Sequence, residues 1–252
     1  MNDPFFVAFI QGSSGRFISN IVWQLINDTN KDLNYTSFNS AHLENICSQY
    51  WDTSNMIDPT WDTNGYETIS FMNMQINNLF FSHAYPKFEN VFYKYPNCKF
   101  VLIKIDNNDY YEIAGNYVFK NALERLCFVD ELPNRIIHIY DKLYGKSIDI
   151  THEFTEPEIY DIINFYGKNM LYFPYTREYT NCIVPDKYLD RVLIIQYNDI
   201  FKQDIYGNFV IYNKLKHFTG SLGNDIILSN YKNYVEGRNK FIDKHLSWIN
   251  KT

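Results

Sequence analysis

The loop Gln11–Arg16 (QGSSGR) has the residue types of an anion-binding turn. Before it, an apolar run from Phe5 predicts a buried strand, and apolar residues three or four apart from Phe17 to Ile26 predict a helix after it. At such a helix N-terminus the backbone N–H groups and the helix dipole favour negative charge, and glycine lets a ligand approach the main chain. We therefore predict a phosphate or sulfate site formed by six residues: Gly12, Ser13, Ser14, Gly15, Arg16 and Phe17. The alternative is an ordinary strand–turn–helix connection.

Two further polar residues stand at the ends of apolar stretches. His83 follows Asn77–Ser82, and the unperturbed pKa of histidine, near 6.5, suits proton transfer at neutral pH. Lys104 lies near the end of Lys99–Ile105, the clearest buried strand in the chain. Each has a purely structural interpretation: His83 as a half-buried polar residue at a strand end, and Lys104 as a lysine that extends its amine to the sheet edge.

These residues need a scaffold, and the alternation of strand and helix patterns predicts an α/β fold. Besides the first strand and Lys99–Ile105, strands are predicted at 77–82 and 191–196, with helices at 86–95, 110–126, 132–144, 158–166, 209–218 and 226–248. Such alternation predicts a parallel sheet with helices on both faces. We expect a single domain spanning residues 1–252, with a polar insert at 28–67, including a short helical pattern at 40–50, near the substrate side.

Composition narrows the function classes. A net charge of −6 argues against a broad nucleic-acid-binding face, and no apolar run reaches the length of a membrane span. The four cysteines are widely spaced, which predicts neither a metal site nor a disulfide framework. We expect a cytoplasmic protein, in the host cytosol or the virion if it is viral. The 18% aromatic content resembles the bias of a low-GC genome, so single aromatic residues carry little functional weight.

The order of these pieces resembles the sulfotransferase family. Ser14-Gly15 falls where the family has its Ser-Gly loop, and Phe80-Phe81-Ser82-His83 falls where cytosolic members have Lys-Thr-His. The stretch 96–103 (PNCKFVLI) looks like the strand leading to the family's 3′-phosphate site. The stretch 192–201 (VLIIQYNDIF), followed by a helix and Phe218-Thr219-Gly220, is similar to the family's C-terminal strand, turn and short helix.

This resemblance implies a P-loop NTPase-like sulfotransferase architecture and a function. The family transfers a sulfuryl group from PAPS, leaving PAP, to a hydroxyl group of a small-molecule or glycan acceptor, and needs no metal. It implies that His83 is the catalytic base and that the 12–17 loop, with Arg16, holds the phosphosulfate. The 3′-phosphate would be bound by Lys104, with Asn116 nearby and Arg238 from the last helix. For Arg238 the alternative is a solvated helix face.

The chain departs from the family pattern at three positions. Ser13 stands where the family usually has lysine, Lys104 replaces an arginine, and Glu112 stands at the spacing of a serine. A glutamate beside a phosphate is unfavourable because like charges repel. Two alternatives therefore stay open. One is an inactive sulfotransferase-like scaffold, serving as a binding or virion protein; the other is a P-loop kinase-like protein, in which Asp106 would resemble the Walker-B acid.

Overall fold

The computed structural model describes residues 4–10, 13–28, 74–76, 79–82, 88–118, 134–149, 152–169 and 183–243. The residues of the predicted insert beyond 28, its helical pattern at 40–50, and Gly12 and His83 lie outside these ranges. Within them, no helix has both the length and the apolar character needed to cross a bilayer. The strands are β1 (Phe5–Ala8), β2 (Met74–Ile76), β3 (Leu79–Ser82), β4 (Lys99–Lys104) and β5 (Val192–Gln196). The α-helices are α1 (Gly15–Asn27), α2 (Phe88–Lys94), α3 (Tyr110–Val118), α4 (Asn134–Tyr144), α5 (Glu156–Asn169), α6 (Val210–Thr219) and α7 (Asp225–Phe241).

The strands form one sheet in the order β2-β3-β1-β4-β5. Strands β3, β1, β4 and β5 run parallel, whereas β2 is antiparallel to β3. The prediction of an α/β fold is confirmed, but the prediction of a wholly parallel sheet is wrong at β2. Only two residues separate β2 from β3, and a parallel connection needs a crossover of a dozen or more. Of the predicted strand at 77–82, Leu79–Ser82 is observed as β3, and residues 77 and 78 lie outside the described ranges; β2 is a separate strand before them.

Helices cover both faces of the sheet, as predicted. Phe5 of β1 meets Phe218 of α6 edge to face, with ring centroids 6.4 Å apart. The next residue, Phe6, contacts Tyr95 just after α2, at 5.4 Å. Because successive side chains of a strand point to opposite faces, α6 and α2 lie on opposite sides. Helix α1 packs against α6 and α7, and α3 packs against α5.

The four parallel strands share a carboxyl edge, and the segments after three of them are described there. These are the turn at 13–15 after β1, the residues 105–109 after β4, and Tyr197-Asn198 after β5. Asp106 caps the single 3₁₀ turn that precedes α3: its carboxylate accepts the Asn108 amide at 2.8 Å. The fold thus brings distant parts of the sequence to one edge.

Candidate functional site

The turn between β1 and α1 is held by Ser13. Its amide and its hydroxyl both donate to the Ile10 carbonyl, at 3.0 Å and 2.6 Å. The Ser13 side chain is fully buried, so its hydroxyl proton serves the turn. Ser13 therefore stabilises the turn that forms the predicted anion site.

Ser14 has a different environment. Its φ of 61° lies in the left-handed region, and its side chain makes no hydrogen bond to the helix it precedes. Instead its Oγ accepts a hydrogen bond from the Tyr234 hydroxyl, at 3.0 Å. Ser14 is itself buried, and a serine hydroxyl can donate as well as accept. The Tyr234 ring stacks on Phe17, with centroids 3.7 Å apart, so α7 clamps the start of α1.

Gly15, the first residue of α1, is required for a reason that the sequence did not indicate. A Cβ at this position would lie 1.7 Å from the nearest carbon of the Phe9 ring, so only glycine fits. The first hydrogen bond of the helix runs from the Ile18 amide to the Ser14 carbonyl. The amides of Gly15 and Arg16 therefore have no acceptor within the helix and lie at its positive end. The side chain of Arg16 is outside the described part of the structure.

A second polar cluster at this edge is built around Glu112 and Arg238. The Arg238 Nε donates to Glu112 Oε1 at 2.7 Å, and a second bond joins Arg238 Nη2 to Oε2. The Tyr197 hydroxyl also donates to Oε1, at 2.6 Å, and the guanidinium lies 4.2 Å from the centroid of the Phe201 ring. The Arg238 side chain is only 16% exposed, so its interpretation as part of a solvated helix face is wrong. Its charge is neutralised within the protein.

Asp109 extends this cluster. It is almost completely buried, and it accepts hydrogen bonds from the Asp106 amide, at 2.8 Å, and from the Asn198 side chain. Burial, reinforced by the nearby charges of Asp106 and Glu112, raises the pKa of Asp109 to about 6. Burial also raises the pKa of Tyr197 well above its ordinary value. Asp109 can therefore exchange a proton close to neutral pH, whereas Tyr197 stays a hydroxyl donor.

The remaining predicted ligands are placed less closely. Lys104 is the last residue of β4, pairs with Gln196 of β5 and is half-buried, which leaves it at the carboxyl edge. Asn116 lies in α3, and its side chain is outside the described part. The roles of Lys104, Asn116 and His83 stay predictions.

Two residues that make key hydrogen bonds at this edge are not identified by the sequence analysis. Glu112 was noted only as an unfavourable neighbour for a phosphate, although it binds Arg238 from 126 positions away. Tyr234 was not singled out among 22 tyrosines. One signal was available: Tyr234 and Arg238 are four residues apart, and this spacing places both on one face of a helix. That face of α7 meets the carboxyl edge.

Comparisons with known proteins give no relative for this chain. It has no significant match to a protein-family model, to a curated protein or to a solved structure. Among the residues that the structure describes, no group of three or more His, Cys, Asp or Glu side chains is arranged to hold a metal ion.

Proposed function

We propose that this chain is a sulfotransferase-like protein that transfers a sulfuryl group from PAPS to a hydroxyl group of a small-molecule or glycan acceptor. One observation supports this most: β3, β1, β4 and β5 are parallel neighbours. Three positions of the resemblance follow β3, β1 and β5, at His83, Ser14-Gly15 and Tyr197-Asn198, and the fourth, Lys104, is the last residue of β4. Ligands of open α/β sheets bind at such a carboxyl edge.

The first turn of α1 is the proposed seat of the 5′-phosphosulfate. Bound PAPS supplies the sulfuryl group and a phosphate as its leaving group. The chain contributes the Gly15 and Arg16 amides, the Ser14 hydroxyl and the helix dipole, which stabilise the charge that develops on the leaving oxygen. Arg16 would add a charged donor. His83, following β3, would accept the proton of the acceptor hydroxyl as the transfer proceeds in line.

Lys104 is the proposed cation for the 3′-phosphate. It ends β4 beside β1, at the same edge as the α1 turn. Arg238 already gives two of its five N–H donors to Glu112 and a third to Asn239 Oδ1, at 3.1 Å, so a phosphate there would compete with the Glu112 carboxylate for the guanidinium charge. Asn116, within α3, is proposed to assist Lys104. The donor would thus bind first through the start of α1, including the Arg16 side chain, and through Lys104.

The Glu112–Arg238 pair favours a second candidate function, a scaffold without donor binding. A protein that no longer binds a 3′-phosphate could fill the place with its own carboxylate, and Glu112 occupies the family's serine position. Such a chain would keep the fold as a binding or virion protein.

Thermal unfolding with nucleotides separates these functions. We expect PAP, at about 100 times its Kd, to stabilise the protein by about 2.7 kcal/mol, and ATP with Mg²⁺ to have little effect. Arg16→Ala should abolish the PAP effect, whereas Lys214→Ala, which removes an exposed positive charge on α6, should keep it. His83→Ala should retain PAP binding and lose the release of PAP from PAPS in the presence of acceptor. If no nucleotide stabilises the wild type, the scaffold replaces the enzyme; stabilisation by ATP with Mg²⁺ alone would indicate the kinase.

A further inference from the structure

The first turn of α1, where we propose that the anion binds, is enclosed by the protein. Ser14 is 9% exposed, and Gly15 is buried. A phosphate or sulfonate group must place its oxygens within about 3 Å of the backbone N–H groups that bind it. Because so little of this turn is open to solvent, a part of the protein has to move before such a group can make these contacts.

Two aromatic rings cover this turn. The Phe9 ring lies against Gly15, in the place that a Cβ would occupy. Phe9 follows β1 directly and belongs to the hydrophobic core, so its removal would disrupt the packing of the sheet. The Tyr234 hydroxyl lies 3.0 Å from Ser14 Oγ, and its ring stacks on Phe17. Since Tyr234 comes from α7, a shift of that helix withdraws it and leaves the core beneath the turn in place.

Side-chain contacts before and after Tyr234 fix it in this position. Four residues before it, Asn230 donates to Gln24 Oε1 of α1, at 3.1 Å. Four residues after it, Arg238 is bound by Glu112 of α3. This spacing places the three side chains of α7 on one face of the helix. The face that covers the turn of α1 is therefore the face that carries the salt bridge.

The two anchors respond differently to an anion. Asn230 and Gln24 are fully buried and neutral, so their hydrogen bond offers an anion no charge to compete for. Arg238 and Glu112 carry opposite charges, and a phosphate that approaches the guanidinium competes with the carboxylate. An anion at this edge therefore weakens the anchor nearer the end of α7 and leaves the other in place.

We infer that α7 is a lid on the first turn of α1, with Tyr234 as its cover and the Glu112–Arg238 salt bridge as its fastening. This inference rests on the proposed function, because it concerns access to the same anion seat. When the ligand competes for Arg238, the second half of α7 is released and uncovers the Gly15 amide. The ligand thus opens its own site.

Hydrogen exchange of the Gly15 amide, followed by NMR on glycine-labelled protein, tests the closure without any ligand. We expect this amide to exchange roughly tenfold or more slowly than in an unstructured peptide, because burial limits its access to water. Tyr234→Phe removes the hydroxyl contact and should raise the rate roughly fivefold, and Tyr234→Leu should raise it further. An unprotected amide in the wild type overturns the inference, and so does a rate that neither substitution changes.

Tyr188 supplies the matched control. It is 8% exposed, against 4% for Tyr234, its hydroxyl donates to Glu89, and its ring stacks on Phe92 with centroids 4.2 Å apart. It precedes β5, however, and so lies at the opposite edge of the sheet. Tyr188→Phe and Tyr188→Leu should leave the Gly15 exchange rate unchanged. If they raise it as much as the substitutions at Tyr234, the exchange reports a general loss of stability and the inference fails.

Glu112→Gln tests the fastening. It removes the negative charge that holds Arg238, so the Gly15 amide should exchange roughly fivefold faster or more. Glu89→Gln, which removes a carboxylate at the opposite edge, should have no such effect. An unchanged rate in Glu112→Gln would contradict the role of the salt bridge.

Binding of PAP separates this inference from the proposed function. The affinity of a ligand for a site that is open only part of the time is lowered by the open fraction. A substitution at Tyr234 that accelerates exchange should therefore strengthen PAP binding by a similar factor, measured by calorimetry. Accelerated exchange in a protein that binds no PAP would support the lid and refute the proposed function. Equal PAP affinities in the wild type and Tyr234→Phe would support donor binding and overturn the lid.

Discussion

Two positive groups lie at the carboxyl edge of the sheet, the N-terminus of α1 and the Arg238 guanidinium. They differ in whether a carboxylate of the protein neutralises them. At the start of α1 the charge belongs to the backbone amides and dipole of the helix, and the described side-chain contact there is the Tyr234–Ser14 hydroxyl pair. Arg238, in contrast, is bound through two donors by the Glu112 carboxylate. The Gly15 and Arg16 amides have no acceptor within α1, whereas the charge of Arg238 is already neutralised by the Glu112 carboxylate. This difference is why we propose the anion seat at α1.

The largest expected effect comes from removing the Glu112 carboxylate that binds Arg238. Glu112→Ala would leave Arg238 and Tyr197 without their shared acceptor, and we expect a loss of roughly 3–5 kcal/mol in the free energy of unfolding, measured by urea denaturation. The combined Glu112→Leu/Arg238→Met variant should be less destabilised, because no buried charge remains. A loss below about 1 kcal/mol for Glu112→Ala would mean that water already screens the pair.

Removing the Glu112 carboxylate should also change the affinity for PAP. With Glu112 removed, Arg238 becomes available to a phosphate, so PAP should bind roughly tenfold more tightly to Glu112→Gln than to the wild type, a gain of about 1.4 kcal/mol. Titration calorimetry measures this directly. Unchanged affinity would place Arg238 outside the ligand site.

Gly15→Ala should disturb the packing at the start of α1. Alanine is ordinarily the better helix former, but here its Cβ would lie within 2.3 Å of three carbons of the Phe9 ring. We expect a loss of about 2–3 kcal/mol from this overpacking. Gly145→Ala is the control: no atom lies within 4 Å of its Cβ, and it should cost about 1 kcal/mol through its positive φ alone. Equal losses of stability for the two variants would show that the turn between β1 and α1 can shift to accommodate the added Cβ.

The titration of Asp109, beside the Glu112–Arg238 cluster, makes the free energy of unfolding depend on pH. Its pKa is raised from 3.8 to about 6 on folding, so between these values the native state binds more protons than the unfolded state. The contribution of Asp109 to stability is therefore full below about pH 4 and falls by about 3 kcal/mol as the pH rises through 6. Asp109→Asn should remove this decline in urea unfolding measured from pH 4 to 7. A parallel pH profile for the two proteins would show that Asp109 titrates normally.

Tyr234→Phe has the smallest expected effect. It removes the hydrogen bond to Ser14 but keeps the stack on Phe17, so we expect a loss of about 1 kcal/mol in thermal or urea unfolding. Tyr234→Leu, which also removes the stack, should cost more. If the two variants unfold alike, the ring does not clamp α1.

The sequence predicts the local parts of this arrangement well. Strands β1 and β4 and helix α1 follow from apolar periodicity, and the start of α3 at Tyr110 follows from the capping Asp106. Strand β2, with three residues, is too short to show a period. The partnership of Glu112 with Arg238 depends on the tertiary fold, because no local pattern links residues that far apart.

Glycine-selective ¹⁵N labelling would show whether the Gly15 amide binds the anion. During a titration with PAP, the Gly15 amide signal should shift and saturate, because this amide is proposed to donate to the 5′-phosphate. Gly145 and Gly207, in turns away from this edge, should stay in place and serve as internal references. A Gly15 signal that does not move while PAP binds would contradict the placement of the anion at the first turn of α1. If no glycine signal moves and calorimetry detects no heat, donor binding itself is refuted.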